Sequence, residues 1–290
     1  MTPFSSRPNS ASVTAAAASI ALVTLTSSCI EALLYHLMPV QQSLEGRTML
    51  VTGASSGIGR AIAVAAARAG ADVAITYREN QEGARQTERE IAGLGRRAVA
   101  IHLDLADDQS VRDVGPAARA ALGHLDVWVN NAGADILTGS AADHTPVERL
   151  DLLLAIDLRG TIVASWHAVD VLRDRGGVII NMSWDHALTG MGGRNPEMFA
   201  AVKGGVLAFS KSLARSAAPR VRVNVLAPGW IETAFGSGLD EAHHRAIADS
   251  TPLKRWGTPD DVAGAAVFLA SPAASFLTGQ TIFVGGGAVM

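Results

Sequence analysis

TMLVTGASSGIGR, residues 48–60, runs from a short apolar segment through a glycine-rich turn into an alanine-rich stretch, and its reading decides the fold. A strand that enters a helix this way offers free N–H groups at the helix start, where an anion can sit. Gly53, Gly57 and Gly59 remove side chains where the backbone must turn tightly, approach a diphosphate closely and pack helix on strand. A phosphate-bearing nucleotide is therefore the expected ligand. The spacing is TGxxxGxG rather than GxGxxG, and glycine triplets also occur in ordinary turns, so the rest of the chain has to carry the assignment.

From Gly46 onward, strand-like and helix-like segments alternate at the intervals of βαβ units. Strands are expected at 49–52, 72–77, 98–103, 126–130, 177–182, 221–226 and 281–284, and helices at 58–69, 81–94, 109–122, 147–173, 196–217 and 259–270. Several strands are unbroken apolar runs, as burial on both faces requires. The expected architecture is α/β: a Rossmann-type, doubly wound parallel sheet of about seven strands, in one domain over residues 46–290.

Residues 1–45 differ from the rest. A polar, proline-punctuated start precedes a stretch rich in alanine and small residues, in which Val13 to Leu25 has the length of a signal-peptide apolar region. Only Arg7 precedes it, no clear cleavage site follows, and it is short and threonine-rich for a membrane span. It reads as an atypical, poorly ordered extension or a start placed too early, with a weak targeting or anchoring signal as the rival.

With 290 residues and 48% hydrophobic content the chain can bury a large core. Its 24 basic and 27 acidic residues give a net charge of -3, with no basic stripe for nucleic acid and no basic amphipathic run for an anionic membrane. A small-molecule substrate is the expected partner. Cys29 is the only cysteine, so an intrachain disulfide and a cysteine metal cage are excluded, and a cytoplasmic location fits.

The order of motifs from about Leu44 to the C-terminus resembles the short-chain dehydrogenase/reductase family. TGASSGIG looks like its cofactor loop, Asp104 in HLDLAD falls where the family holds the adenine, and Asn130, Asn131, Ala132 and Gly133 form its NNAG element. Asn224, the Pro228-Gly229 turn with Ile231 and Thr233, and the tail RWGTPDDVAGAAVFLASPAASFLTGQ follow in the same order. The resemblance implies NAD(P)-dependent redox chemistry and a homodimer or homotetramer built on helices 147–173 and 196–217. The implied cofactor contacts are Gly53, Ser55, Ser56, Gly57, Ile58, Gly59, Tyr77, Arg78, Asp104, Leu105, Asn131, Ala132, Gly133, Lys203, Pro228, Gly229, Ile231 and Thr233. At the end of the second strand, Tyr77 occupies the expected acidic position and Arg78 follows; a guanidinium suits a 2′-phosphate, so NADP(H) is favoured over NAD(H). The opposing reading makes Arg78 a solvated loop cation beside Glu79, and Ser56 lacks the basic residue of some phosphate-preferring relatives.

The catalytic positions depart from the family. Where relatives carry a Tyr four residues before Lys203, this chain has Phe199, a ring without a hydroxyl. Asp157 stands in place of an Asn and reads as holding a structural water or interacting with Lys203, whose charged form a nearby carboxylate stabilises. Trp184 takes the place of a Ser, with Ser183 one residue early. The chain's two tyrosines, Tyr35 and Tyr77, fall far from this site in sequence. Asp185 and His186 are the nearest titratable groups and read either as a substitute acid or as a turn cap beside a packed ring. Lys203 can hold the nicotinamide ribose without a Tyr. The segment after the sixth strand reads as a substrate lid with Trp230, Phe235, His243 and His244 as pocket candidates; adjacent histidines diverge on a helix, and no metal site is expected.

Three functions are compatible with these residues. The first is an NADP(H)-dependent oxidoreductase acting on a small carbonyl, alcohol or activated double bond with a non-standard proton donor. The others are a cofactor-binding protein without redox turnover, serving as sensor or structure, and a non-redox isomerase or cyclase on the same pocket.

Overall fold

In the computed structural model, residues 43–233 and 240–290 are described. The expectations for most of residues 1–45, including Cys29 and Tyr35, and for Phe235 lie outside them. The seven strands are β1 (Thr48–Val51), β2 (Asp72–Tyr77), β3 (Ala98–His102), β4 (Val127–Asn130), β5 (Gly177–Met182), β6 (Val221–Pro228) and β7 (Thr281–Val284). They form one sheet in the order β3-β2-β1-β4-β5-β6-β7, every neighbouring pair parallel. The order reverses between β1 and β4, and such a switch point opens a crevice at the carboxyl ends of the strands.

Alternation of side chains splits the core into two layers. Met49 and Val51 of β1 point into a cluster with α1 (Gly57–Arg68), α2 (Gln81–Gly93) and α8 (Pro259–Ala270). Leu50 points the other way, towards α3 (Asp108–Leu122), α5 (Thr161–Leu172) and α6 (Arg194–Ala217). Both faces of the sheet are thus covered, which is why its strands are mostly apolar. Leu44 is fully buried and its N–H donates to the Ala69 carbonyl, so packing begins before Gly46.

One expected element differs. The continuous helix anticipated over 147–173 is α4 (Pro146–Leu153), a π-helical stretch Leu154–Gly160, then α5. Side-chain spacing does not reveal a switch of backbone bonding inside an apolar run, and such stretches recur at functional sites. Pro146–Leu172 is apolar and long enough to cross a bilayer by composition, yet half of its most apolar 18-residue window is buried inside the domain. A further helix, α7 (Glu241–Ser250), follows β6.

Candidate active site and cofactor cleft

The glycine turn after β1 is held from all sides by short polar side chains. Gly53 N–H donates to Thr76 Oγ1 (3.1 Å), and Thr87 Oγ1 donates to the Ala54 carbonyl (3.0 Å). From β4, the amide of Asn131 donates to the carbonyls of Thr52 and Gly53, while Thr52 Oγ1 accepts from the N–H groups of Asn131 and Ala132. Gly53 has φ +64°, and a Cβ there would lie 2.8 Å from Ala132 Cα. A Cβ on Gly59 would lie 2.3 Å from the Gly53 carbonyl oxygen, so no larger residue fits either position. Ser56 gives α1 no side-chain cap, which leaves the helix start able to receive an anion. Gly57, at φ +53°, faces Thr233 across the cleft, with Ser55 and Ile58 on either side in sequence. This cradle fits a dinucleotide diphosphate.

At the adenosine end, the Tyr77 hydroxyl accepts from Gln81, and its ring meets His102 edge-on at 5.8 Å. Arg78 contacts Glu79 at 2.6 Å with both side chains exposed. Asp104 accepts from the Ala106 N–H in a tight turn, and buried Leu105 sits where a Cβ on Gly160 would strike it. The turn that would face the adenine thus rests on the end of the π-helical stretch.

The cleft continues into a cavity of about 440 Å³ whose lining joins the loop ends of β1, β4, β5 and β6. Ile58, Asn131, Ser183, Lys203, Pro228, Gly229, Ile231 and Thr233 line it, all singled out by sequence. Phe199 lines it too, one helical turn before Lys203, beside Trp184, Trp230 and Met191. Among the described residues, Lys203 is the one titratable side chain of the lining.

Lys203 Nζ lies 2.8 Å from Asp157 Oδ2, and both side chains are largely buried. The other Asp157 oxygen accepts from the Ala134 N–H at 2.7 Å. A Cβ on Gly133 would fall 2.7 Å from Asp157 Oδ2, so the glycine of the NNAG element makes room for this carboxylate. Ser183 Oγ donates to the Lys203 carbonyl at 2.9 Å. The π-helical stretch, the β4 turn and α6 therefore meet at one ion pair.

Asp185 and His186 do not line the cavity. Asp185 is fully buried; its Oδ1 accepts from the His186 N–H and contacts His186 Nδ1 at 2.6 Å. Its Oδ2 is pressed against the Gly229 and Gly285 backbones and has no hydrogen-bond partner among the described residues. Burial raises this carboxyl above the ordinary carboxylate value, against the contacts with His186, which lower it. Trp184 contacts the rings of both His186 (5.2 Å) and Phe199 (6.3 Å), and it is Trp184 that reaches the cavity.

Of the lid candidates, Trp230 lines the cavity, whereas His243 and His244 do not. His243 contacts Asp240 at the start of α7, and His244 stacks on Trp256 at 4.7 Å. No group of three metal-binding side chains occurs among the described residues. Asn224 is a brace: its amide donates to the Leu277 carbonyl and its oxygen accepts from the Gln280 N–H, tying β6 to the approach to β7. Sequence reasoning missed a buried polar chain beneath the cleft. Trp128 Nε1 donates to Asn130, Asn130 donates to Asn181 and Ser165, and Asn181 donates to Ser210. A polar residue recurring inside the apolar strands β4 and β5 was the available signal.

The sequence profile of a family described as enoyl-(acyl carrier protein) reductase matches residues 53–289. A 3beta-hydroxysteroid dehydrogenase 1 from Eggerthella lenta is 37% identical over 251 residues, covering 84% of this chain and 94% of the relative. A short chain dehydrogenase from Burkholderia cenocepacia, solved in complex with NADP, is 37% identical with TM-score 0.77, over 84% of this chain and 98% of the other. A 7 alpha-hydroxysteroid dehydrogenase solved with NADH and 7-oxo glycochenodeoxycholic acid is 30% identical with TM-score 0.78, over 86% and 96% of the two chains.

Proposed function

The chain belongs to the short-chain dehydrogenase/reductase family of NAD(P)-dependent oxidoreductases, and from that premise we propose that it transfers hydride between NADP(H) and a small carbonyl, alcohol or activated double bond with a proton donor other than tyrosine. The observation that carries this reading is the Phe199 ring in the cavity wall one turn before Lys203. Bound in the cleft, the nicotinamide supplies or accepts the hydride. The remaining work falls to the protein. Asp157 holds Lys203 Nζ at 2.8 Å, where the lysine serves to hold the ribose and, as the one titratable side chain of the cavity lining among the described residues, to supply the proton. Asp185 and His186 sit behind Trp184 and take a structural role.

Losing a positioned acid costs on the order of 10²–10⁴ in rate when an alkoxide must be protonated. An activated alkene spreads the incoming negative charge onto its own activating group, so it suits this pocket better than a plain ketone. The mostly apolar lining of Leu137, Met182, Met191 and the two tryptophans suits an uncharged substrate. NADP(H) is supported by Arg78: its pairing with Glu79 is exposed and worth little, so a 2′-phosphate competes for the guanidinium on favourable terms.

The test is NADPH oxidation over a panel of carbonyls and activated alkenes, with wild type and Phe199→Tyr side by side. Wild type is expected to turn over alkenes, and the variant to gain about 10²-fold on carbonyls. No oxidation by either protein overturns the redox reading and leaves cofactor binding without turnover. Direct titration with both coenzymes tests Arg78, and tighter binding of NADH overturns the NADP(H) assignment.

A further inference from the structure

At the other end of the sheet, the amino ends of β1, β4, β5 and β6 open onto a second cleft of about 600 Å³, lined by Arg47, Arg175, Arg220 and Arg222. The six residues of β5, at about 3.3 Å each, separate it from the cofactor cleft by roughly 20 Å. Among the described residues, the one carboxylate of the lining is Asp126. That group is already engaged: Oδ2 accepts from the Thr48 N–H at 2.9 Å and lies 3.1 Å from His124 Nε2, while Oδ1 is 4.0 Å from Arg175 Nε.

The arginines differ in how they are held. Arg222 is half-buried and fixed, donating to the carbonyls of Leu277 (3.0 Å) and Leu269 (2.9 Å). Burial, and then the neighbouring Arg47, push its guanidinium below the ordinary arginine value. The guanidiniums of Arg47 and Arg220 have no hydrogen bond or ion pair among the described residues. Like charges collected in a concave, partly desolvated site are costly unless an anion joins them.

We propose that this cleft binds a small polyvalent oxyanion of the phosphate class, bridging Arg47 and Arg222 and closed over by Arg220 and Arg175. Guanidinium forks match phosphate oxygens two at a time, and the site holds four of them and no lysine. Its volume is that of a small-molecule site.

Inorganic pyrophosphate is the probe, titrated calorimetrically into the full chain at constant ionic strength, with and without saturating NADPH. Saturable one-to-one binding that survives NADPH is expected, weakened at least tenfold in the double variant Arg47→Gln/Arg220→Gln, whose replaced guanidiniums make no hydrogen bond or ion pair among the described residues. Arg89→Gln, an exposed change on α2, should leave it unaltered. Binding abolished by NADPH would place the probe at the glycine loop and overturn the proposal. So would equal weakening by both variants, which is the mark of diffuse surface charge. Binding of polyglutamate but not pyrophosphate, lost in the double variant, would make the cleft a protein-docking surface and overturn the small-ligand assignment.

Discussion

Asp185 marks the limit of what could be seen from neighbouring letters. Gly53, Gly57 and Gly59 were legible because tight turns at phosphate sites exclude side chains, and the Phe199-Lys203 pair because four residues make one helical turn. The direction of the Asp185 side chain is set instead by Gly229 and Gly285, brought beneath it by β6 and β7. Its carboxyl is raised by burial, so the folded state keeps the proton to higher pH than the unfolded chain does. The stabilising contribution of this group is complete below the unfolded value near pH 4 and is lost as pH rises through the folded value. Asp185→Asn cannot ionise. Its melting temperature is therefore expected to gain on wild type as the pH rises above the unfolded value near pH 4, and a difference that stays flat or shrinks as pH rises would show that burial does not raise this carboxyl.

Among elements, the strands were the most legible, because a parallel sheet buried on both faces must be written as apolar runs; β2, β5 and β7 have the expected bounds. Single periodicity hid the π-helical stretch. An Asp157 contact with Lys203 of α6 was readable from the residues, but the structure adds that Asp157, on that stretch, also accepts from Ala134, so one carboxylate ties three elements below the cavity. Removing one member of a buried ion pair strands the other, at about 3–5 kcal/mol. Asp157→Ala is expected to lose about that much in urea unfolding at neutral pH. Asp157→Asn should lose less, since its amide oxygen can still accept from Ala134. A loss below about 1 kcal/mol for the alanine variant would mean that Lys203 finds an equal partner elsewhere.

At the scale of the whole molecule, the order of glycine loop, NNAG turn and Pro228-Gly229 turn made the topology legible, since right-handed crossovers leave few ways to connect such units. The arginine cleft was not legible, because residues 47, 175, 220 and 222 meet only where four strands begin. The outer surface of α5 and α6 carries a related signal. Trp166 is 54% exposed and meets Phe209 edge-on at 6.3 Å, an aromatic pair left at the surface of the two helices expected to pack against other subunits. Exposed aromatics of this kind anchor interfaces, and their removal costs on the order of 2 kcal/mol or more of association. Sedimentation of the wild type is expected to give a homodimer or homotetramer, with Trp166→Lys shifting the assembly at least tenfold towards smaller species. Because the indole is exposed in the single chain, the variant should keep its helix and strand content by circular dichroism. An unchanged assembly in the folded variant would move the interface away from α5 and α6.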